Sequence, residues 1–556
     1  MRLTRTLTLL AAAGLLAAAA AEAREVTNHR PPIAKGADNA TGPPNRSPLR
    51  INDAAAYNVT VDGTTGRDIQ DAIDAAEAVG PTAGSKAAVL LTPGETYTLT
   101  EPLRVPSHVV IDGTGGDLST SPGPRPRLVM SPGGCQPAVV SFEDTNGSVG
   151  AALYYTQVEV NGNAKRGVMV SSGSDTTYIY DNVLIDEAAG CRPGSTDVGR
   201  ASQQSVLIEP RARTTHVYVD GNVFSHFSTG VSIRENDVSY VLMFANHFKD
   251  WRHFGVSVQR QVVTEDKPSR YLVIRNNHFF PPKKTDGTRK PIDFQSRRDL
   301  LQYPATIDED DPEYESQGAV HNVTIENNIL EGVPGEAFVS KSVVSRATAD
   351  MITGHRVRKL VIRNNLLTDG GEVGVNVSRG TFDSIIQANR IVDCDSCAIN
   401  VGVMPSAADL NAGLDAKDLE VDFIRVRDNE LLENARNKFA DEEASPASFR
   451  PRIRSGVVID NADTVILTGN TIREQSDDTR YYTNPDAKWR ACTEAVLDAW
   501  QAAYTPSTVP ATMMQGISLR NLNNPNAITT SGNVFDLPDH AEDVVQYPIP
   551  GVPCTE

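Results

Sequence analysis

The feature that most constrains this chain is a short unit recurring at irregular intervals: apolar, any, apolar, two variable residues, asparagine, any, apolar. It reads TYIYDNVLI at Asn182, HVYVDGNVF at Asn222, YVLMFANHF at Asn246, YLVIRNNHF at Asn277, NVTIENNIL at Asn328 and KLVIRNNLL at Asn365. It continues as SIIQANRI at Asn389, FIRVRDNEL at Asn429, VILTGNTI at Asn470 and ITTSGNVF at Asn533. Between many copies stands a second motif, glycine followed by alternating apolar residues: GVMV at Gly167, GVSI at Gly230, GVSV at Gly255, GVNV at Gly374, GVVI at Gly456 and GISL at Gly516, with AINV at Ala398. Alternation with a period of two argues for strands. A fixed asparagine argues for a turn built the same way each time, since its side chain tolerates left-handed backbone and can bond along a column of stacked turns.

Two such strands per unit, with the asparagine in the turn between them, predict one coil of a right-handed parallel β-helix. Each coil buries its inward apolar residues only by stacking on its neighbours. An antiparallel sandwich or barrel demands tight hairpin signals every 8–12 residues or so, and the pattern fits that poorly. Aromatic residues are 6% of the chain, so aliphatic side chains must build the core. GRDIQDAIDAAEAVG, from Gly66, has helical spacing of Ile69, Ala72, Ile73 and Ala76. It predicts a helix capping the open N-terminal end, where a bare strand edge needs cover. The expected class is therefore all-β: one solenoid domain over 56–556, with insertions near 281–318, 342–359, 404–454 and 475–514.

The first 23 residues, with Arg2 and Arg5, an apolar run and Ala21-Glu22-Ala23, predict a secretory signal peptide. Residues 24–55, rich in Pro, Asn and Ala, predict a flexible leader. No later stretch approaches the roughly 18 apolar residues of a membrane span, so a secreted or periplasmic location is expected. A net charge of −18 argues against general nucleic-acid binding. Six cysteines in an exported chain favour disulfides. The expected pairs are Cys135–Cys191, Cys394–Cys397 and Cys492–Cys554, one of fifteen arrangements.

Aligned on the strand-opening glycine, Gly374-Val375-Asn376-Val377-Ser378-Arg379 matches Glu336-Ala337-Phe338-Val339-Ser340-Lys341 residue for residue. That predicts Lys341 and Arg379 at the same place in successive coils, about 4.8 Å apart in backbone. Arg260 and Glu235 fall at the equivalent place, with Gln259 and Arg234 just before it. The result is a cationic and polar column in an acidic protein. A lysine beside an arginine loses some preference for its charged form and becomes usable as a base. The arginine keeps its charge and can grip a carboxylate with two prongs. Lys341 and Arg379 are thus the candidate catalytic residues, and Arg234, Gln259, Arg260, Asn376 and His355 the candidate substrate-binding residues. Such a pair suits β-elimination on a uronate: the C5 proton leaves once positive groups neutralise the adjacent carboxylate.

The repeat from Val59 to Phe535 resembles the pectate-lyase-like superfamily. The run E-x-x-x-S-K-S, followed by NNLLTDGGEVGVNVSRG, is similar to polysaccharide lyase family six, which includes alginate lyases and chondroitinase B. The resemblance implies that Lys341 is the base and Arg379 the acid or charge stabiliser. It further implies calcium at Glu336 and an alginate-like anionic polysaccharide as substrate. Three alternatives remain open: a C5-epimerase, a glycoside hydrolase drawing on Asp293 and Glu235, and a non-catalytic carbohydrate-binding or surface β-helix.

Overall fold

The computed structural model describes residues 55–116, 123–132, 135–143, 147–186, 204–208, 213–234, 237–259, 269–281, 290–295, 320–332, 350–370, 373–394, 397–402, 420–434, 454–473, 514–520, 528–537 and 542–546. The strands form three sheets of 14, 13 and 13 strands, and every third strand in sequence is the next neighbour within a sheet. The chain visits sheet A (for example Thr214–Asp220), sheet B (Val223–Ser225) and sheet C (Thr229–Arg234), then returns to sheet A one coil further on. Neighbours are parallel, as in Thr214–Asp220 beside Val238–Phe244, and parallel crossovers are right-handed. The fold is a right-handed parallel β-helix.

Each coil has three strands, one more than the sequence pattern predicted. The extra one is sheet B, whose strands are two to three residues in most coils, such as VFS and HFK. In the sequence it reads only as the tail of the asparagine motif. The asparagines themselves stack as expected. From Asn182 to Asn533 each side-chain Nδ2 donates to the Oδ1 of the next, at 2.9–3.1 Å over nine consecutive links. The left-handed residue, however, is the one before each asparagine. Asp181, Ala245, Asn276, Asn327, Asn364, Ala388 and Asp428 all have φ between 49° and 57°. This leaves the asparagine side chain aimed along the column.

Glycines open the sheet C strands because aromatic residues from sheet B occupy the space a side chain would need. A Cβ on Gly230 would stand 2.5 Å from the Phe248 ring, and one on Gly255 would stand 2.5 Å from the Phe279 ring. Those rings stack inside the solenoid with centroids 4.4 Å apart.

The helix predicted near Gly66 spans Gly66–Ala78, capped by Thr65 with Asp68 completing a capping box, and buries Ile69, Ala72, Ile73 and Ala76. These side chains join the same core as Leu91, Tyr97 and Leu99 of the first coils. From the helix, the Gln70 amide bonds both the N–H (2.9 Å) and the C=O (3.3 Å) of Arg104. Arg104 lies in the first strand of sheet C, so Gln70 satisfies an otherwise unpaired edge. No described helix is long and apolar enough to cross a membrane.

Two segments read as insertions contain strands. Lys290–Gln295 lies within 281–318, and Ile352–His355 lies within 342–359. The span 404–454 likewise holds the strands Asp422–Arg427 and Glu430–Leu432. Cys394 and Cys397 are buried thiols, not a disulfide. Cys394 belongs to the main core, whereas Cys397 packs with Val373 and Val458 in a separate apolar cluster. The other two expected pairings each include cysteines outside the described residues.

Candidate functional site

From Asn182 onward, every connection from sheet A to sheet B is two residues long, the second being a ladder asparagine. All longer connections adjoin sheet C. Twenty-four residues separate Gln295 from Val320, and 40 separate Arg473 from Met514. Loops of a repeat protein gather on the face that carries its function. The outer face of sheet C is therefore the candidate site.

That face carries a polar row. Ser232, Ser257, Asp293, Thr353, Asn376 and Asn400 pair in register across successive strands, between inward residues such as Val231 and Ile233. At its centre lies a buried ionic cluster. Lys290 Nζ is 3.2 Å from Asp350 Oδ2 and 3.6 Å from Asp293 Oδ1, and it donates to Thr353 Oγ1 at 2.9 Å. Asn376 Nδ2 donates to Asp350 Oδ2 at 2.9 Å, while Asn376 Oδ1 accepts from Asn400 Nδ2 at 3.0 Å. Burial alone would raise the Asp350 pKa. The Lys290 charge, the hydrogen bonds from Asn376 and Lys290, and the charge of His355 together outweigh it and hold the carboxyl below its ordinary value.

The register differs from the one the sequence suggested. The neighbour of Val373–Ser378 in the preceding coil is Ile352–His355, with Thr353 opposite Asn376 and His355 opposite Ser378. The place beside Arg379 therefore belongs to Arg356, and the motif alignment that put Lys341 there does not hold. Lys341, Glu336, Glu235 and Arg260 lie outside the described residues, as does the side chain of Gln259. Of the remaining candidates, Asn376 and His355 adjoin the cluster and Arg379 lies at the corner ending the same strand. Asn376 is committed on both side-chain atoms, so it orders the face. Arg234 is apart from this group, four strands away in the sheet order and roughly 19 Å at the usual strand spacing. Its guanidinium Nε lies 3.0 Å from the Gln204 side-chain amide, oriented to accept. Among the described residues no group of three or more His, Cys, Asp or Glu side chains is placed to hold a metal ion.

No protein-family model matches this chain, and no curated protein does. Solved structures do resemble it. The tailspike protein 3 of bacteriophage CBA120 is 10% identical with a TM-score of 0.42, over 89% of this chain and 62% of the tailspike. This chain thus spans less than two thirds of that protein. The tailspike of E. coli bacteriophage HK620, solved with a pentasaccharide, is 12% identical with a TM-score of 0.41, over 79% of each chain. The periplasmic alginate epimerase AlgG is 10% identical with a TM-score of 0.30, over 90% of this chain and 88% of the epimerase. The fold stands on the three parallel sheets and not on these likenesses.

Lys290 and Asp350 were missed in the sequence, because both stand inside segments that look like interruptions. Lys290 opens KPIDFQ, whose alternation of Ile292 and Phe294 was the available signal. Asp350 precedes a strand, ITGH, too short to show a period.

Proposed function

We propose that the protein binds an anionic polysaccharide along the outer face of sheet C and cleaves it by β-elimination. One observation carries this reading: the face bordered by all the long connections is also the one whose central row is polar, with a basic corner at Arg379. In the reaction, a base takes the C5 proton of a uronate. The electron pair forms the C4–C5 double bond and the C4–O4 bond breaks, with the departing oxygen taking up a proton. Cationic groups holding the sugar carboxylate make that proton removable. In this proposal Lys341 is the base and Arg379 stabilises the carboxylate, with His355 beside them and an alginate-like polymer as substrate. Arginine keeps its proton, so its part is charge stabilisation.

Glycoside hydrolysis fits less well. Asp293 and Asp350 do approach one another through Lys290, but both are buried and tied to that ammonium. A carboxyl held below its ordinary pKa is a poor proton donor.

The test is ultraviolet absorbance of the unsaturated uronate product, measured with alginate, pectate and chondroitin. A rise with alginate, lost in Lys341→Ala, is the expected result. Binding without any rise would make the protein a glycan-binding solenoid, and neither binding nor a rise would overturn the reading entirely.

A further inference from the structure

We propose that Arg356 and Arg379 form a two-arginine clamp for the carboxylate of a uronic-acid unit, held in register by the hydroxyl of Thr381. This rests on the reading that sheet C binds an anionic glycan, and it names the residues that would recognise the anion.

The pairing of His355 with Ser378 places the next residues, Arg356 and Arg379, at the same corner of successive coils. Both have left-handed backbone, with φ of 54° and 57°. A side-chain-bearing residue adopts that conformation at a cost. Because the conformation is shared, the two Cα–Cβ bonds leave the corner in the same direction, one strand spacing apart. Two guanidinium groups so placed repel each other unless an anion lies between them. A planar carboxylate matches their donor geometry. Arg356 is 9% exposed and forms the floor, while the half-buried Arg379 forms the outer prong.

Thr381 ties the two corners together. Its fully buried Oγ1 lies 3.0 Å from the Gly354 carbonyl oxygen and 2.9 Å from that of Ser378, and it accepts the Val357 N–H at 3.3 Å. One hydroxyl thus touches the backbone on both sides of Arg356 and just before Arg379. Neither Arg356 nor Thr381 stood out in the sequence, because GHRVRK reads as part of an insertion.

The experiment is calorimetric titration of the full chain with alginate oligosaccharides and with the same oligosaccharides after reduction of their carboxyl groups. The clamp predicts that Arg356→Gln weakens binding of the acidic form at least tenfold, leaves the weak binding of the reduced form unchanged, and flattens the salt dependence. Arg356→Lys, which keeps the charge, should recover part of the loss. Thr381→Val should weaken acidic binding while Thr381→Ser does not. Circular dichroism and the thermal midpoint identify any variant that fails to fold, and the Lys and Ser variants carry the test in that event. Wild-type protein that binds acidic oligosaccharides, with Arg356→Gln binding them equally well, would overturn the clamp alone. Wild-type protein that binds none of them would overturn both the clamp and the functional reading beneath it.

Discussion

Asn222 gives two hydrogen bonds to one atom of Asn246: its side-chain Nδ2 and its backbone N–H each donate to Asn246 Oδ1 at 3.0 Å. Asn246 in turn donates to the Val219 carbonyl at 2.8 Å and to Asn277 Oδ1 at 3.0 Å. Asn246→Ala strands several buried groups at once, and an unsatisfied buried group costs about 1–3 kcal/mol. A loss of roughly 3 kcal/mol is expected, read as a lower denaturant midpoint. Asn533→Ala, at the half-buried last rung, should cost about 1 kcal/mol on the same scale. Equal small effects at both positions would show that the ladder adds nothing to stability.

The ladder was legible because each rung meets the same surroundings, so the same residue answers every time. The three-strand coil was not, since a strand of three residues cannot display a period. The sheet C register was hidden for a different reason. Matching GEAFVSKS to GVNVSRG assumed that similar words are neighbours, but strands pair according to what their side chains bury. Ile352 is fully buried opposite Val375, and a Cβ on Gly354 would stand 2.7 Å from the Leu360 side chain. ITGH therefore fits the coil without carrying the glycine-led motif. Of the expected site residues, those on regular strands were placed correctly on the face, whereas the ionic cluster drew on segments the pattern had set aside.

Asp350 should support the fold at neutral pH and lose that role in acid. Its folded-state pKa lies below the ordinary 3.8, so its contribution is full above that value and disappears as pH falls through the folded pKa. Asp350→Asn leaves Lys290 with only the longer contact to Asp293. Breaking a buried pair in this way costs about 3 kcal/mol. Thermal midpoints from pH 2 to 7 should fall more steeply on acidification for the wild type than for Asp350→Asn. Parallel curves would refute the ionic role.

Asp220 has the opposite sign. Burial and then the neighbouring Asp181 raise its pKa from 3.8 to about 6. The folded state binds the proton more tightly, so stability falls as pH rises between those two values. Asp220→Asn should leave stability unchanged at pH 3.5 and raise it at pH 8 by about 1–2 kcal/mol, after allowance for solvent screening. The check is the difference between the two proteins' unfolding midpoints at each pH. A stabilisation of equal size at both would place its cause elsewhere.

Cys394 and Cys397 are close in sequence but belong to different apolar clusters, Cys394 in the main core and Cys397 against Val373 and Val458. Joining them would pull one side chain out of its cluster, and disulfide geometry tolerates little displacement. Burial also suppresses thiol reactivity, because the thiolate is the reactive form. Native protein treated with iodoacetamide should carry no label at either position. After unfolding without reductant, peptide mapping should find both labelled. Recovery of a Cys394–Cys397 linked peptide would overturn this assignment. Replacing Cys394 with Ser adds a hydroxyl to a fully buried apolar site and should cost about 1–3 kcal/mol. Cys397→Ser, at the smaller cluster, should cost less. The order of these two losses tests the separation directly, since a disulfide would make either single substitution equally damaging.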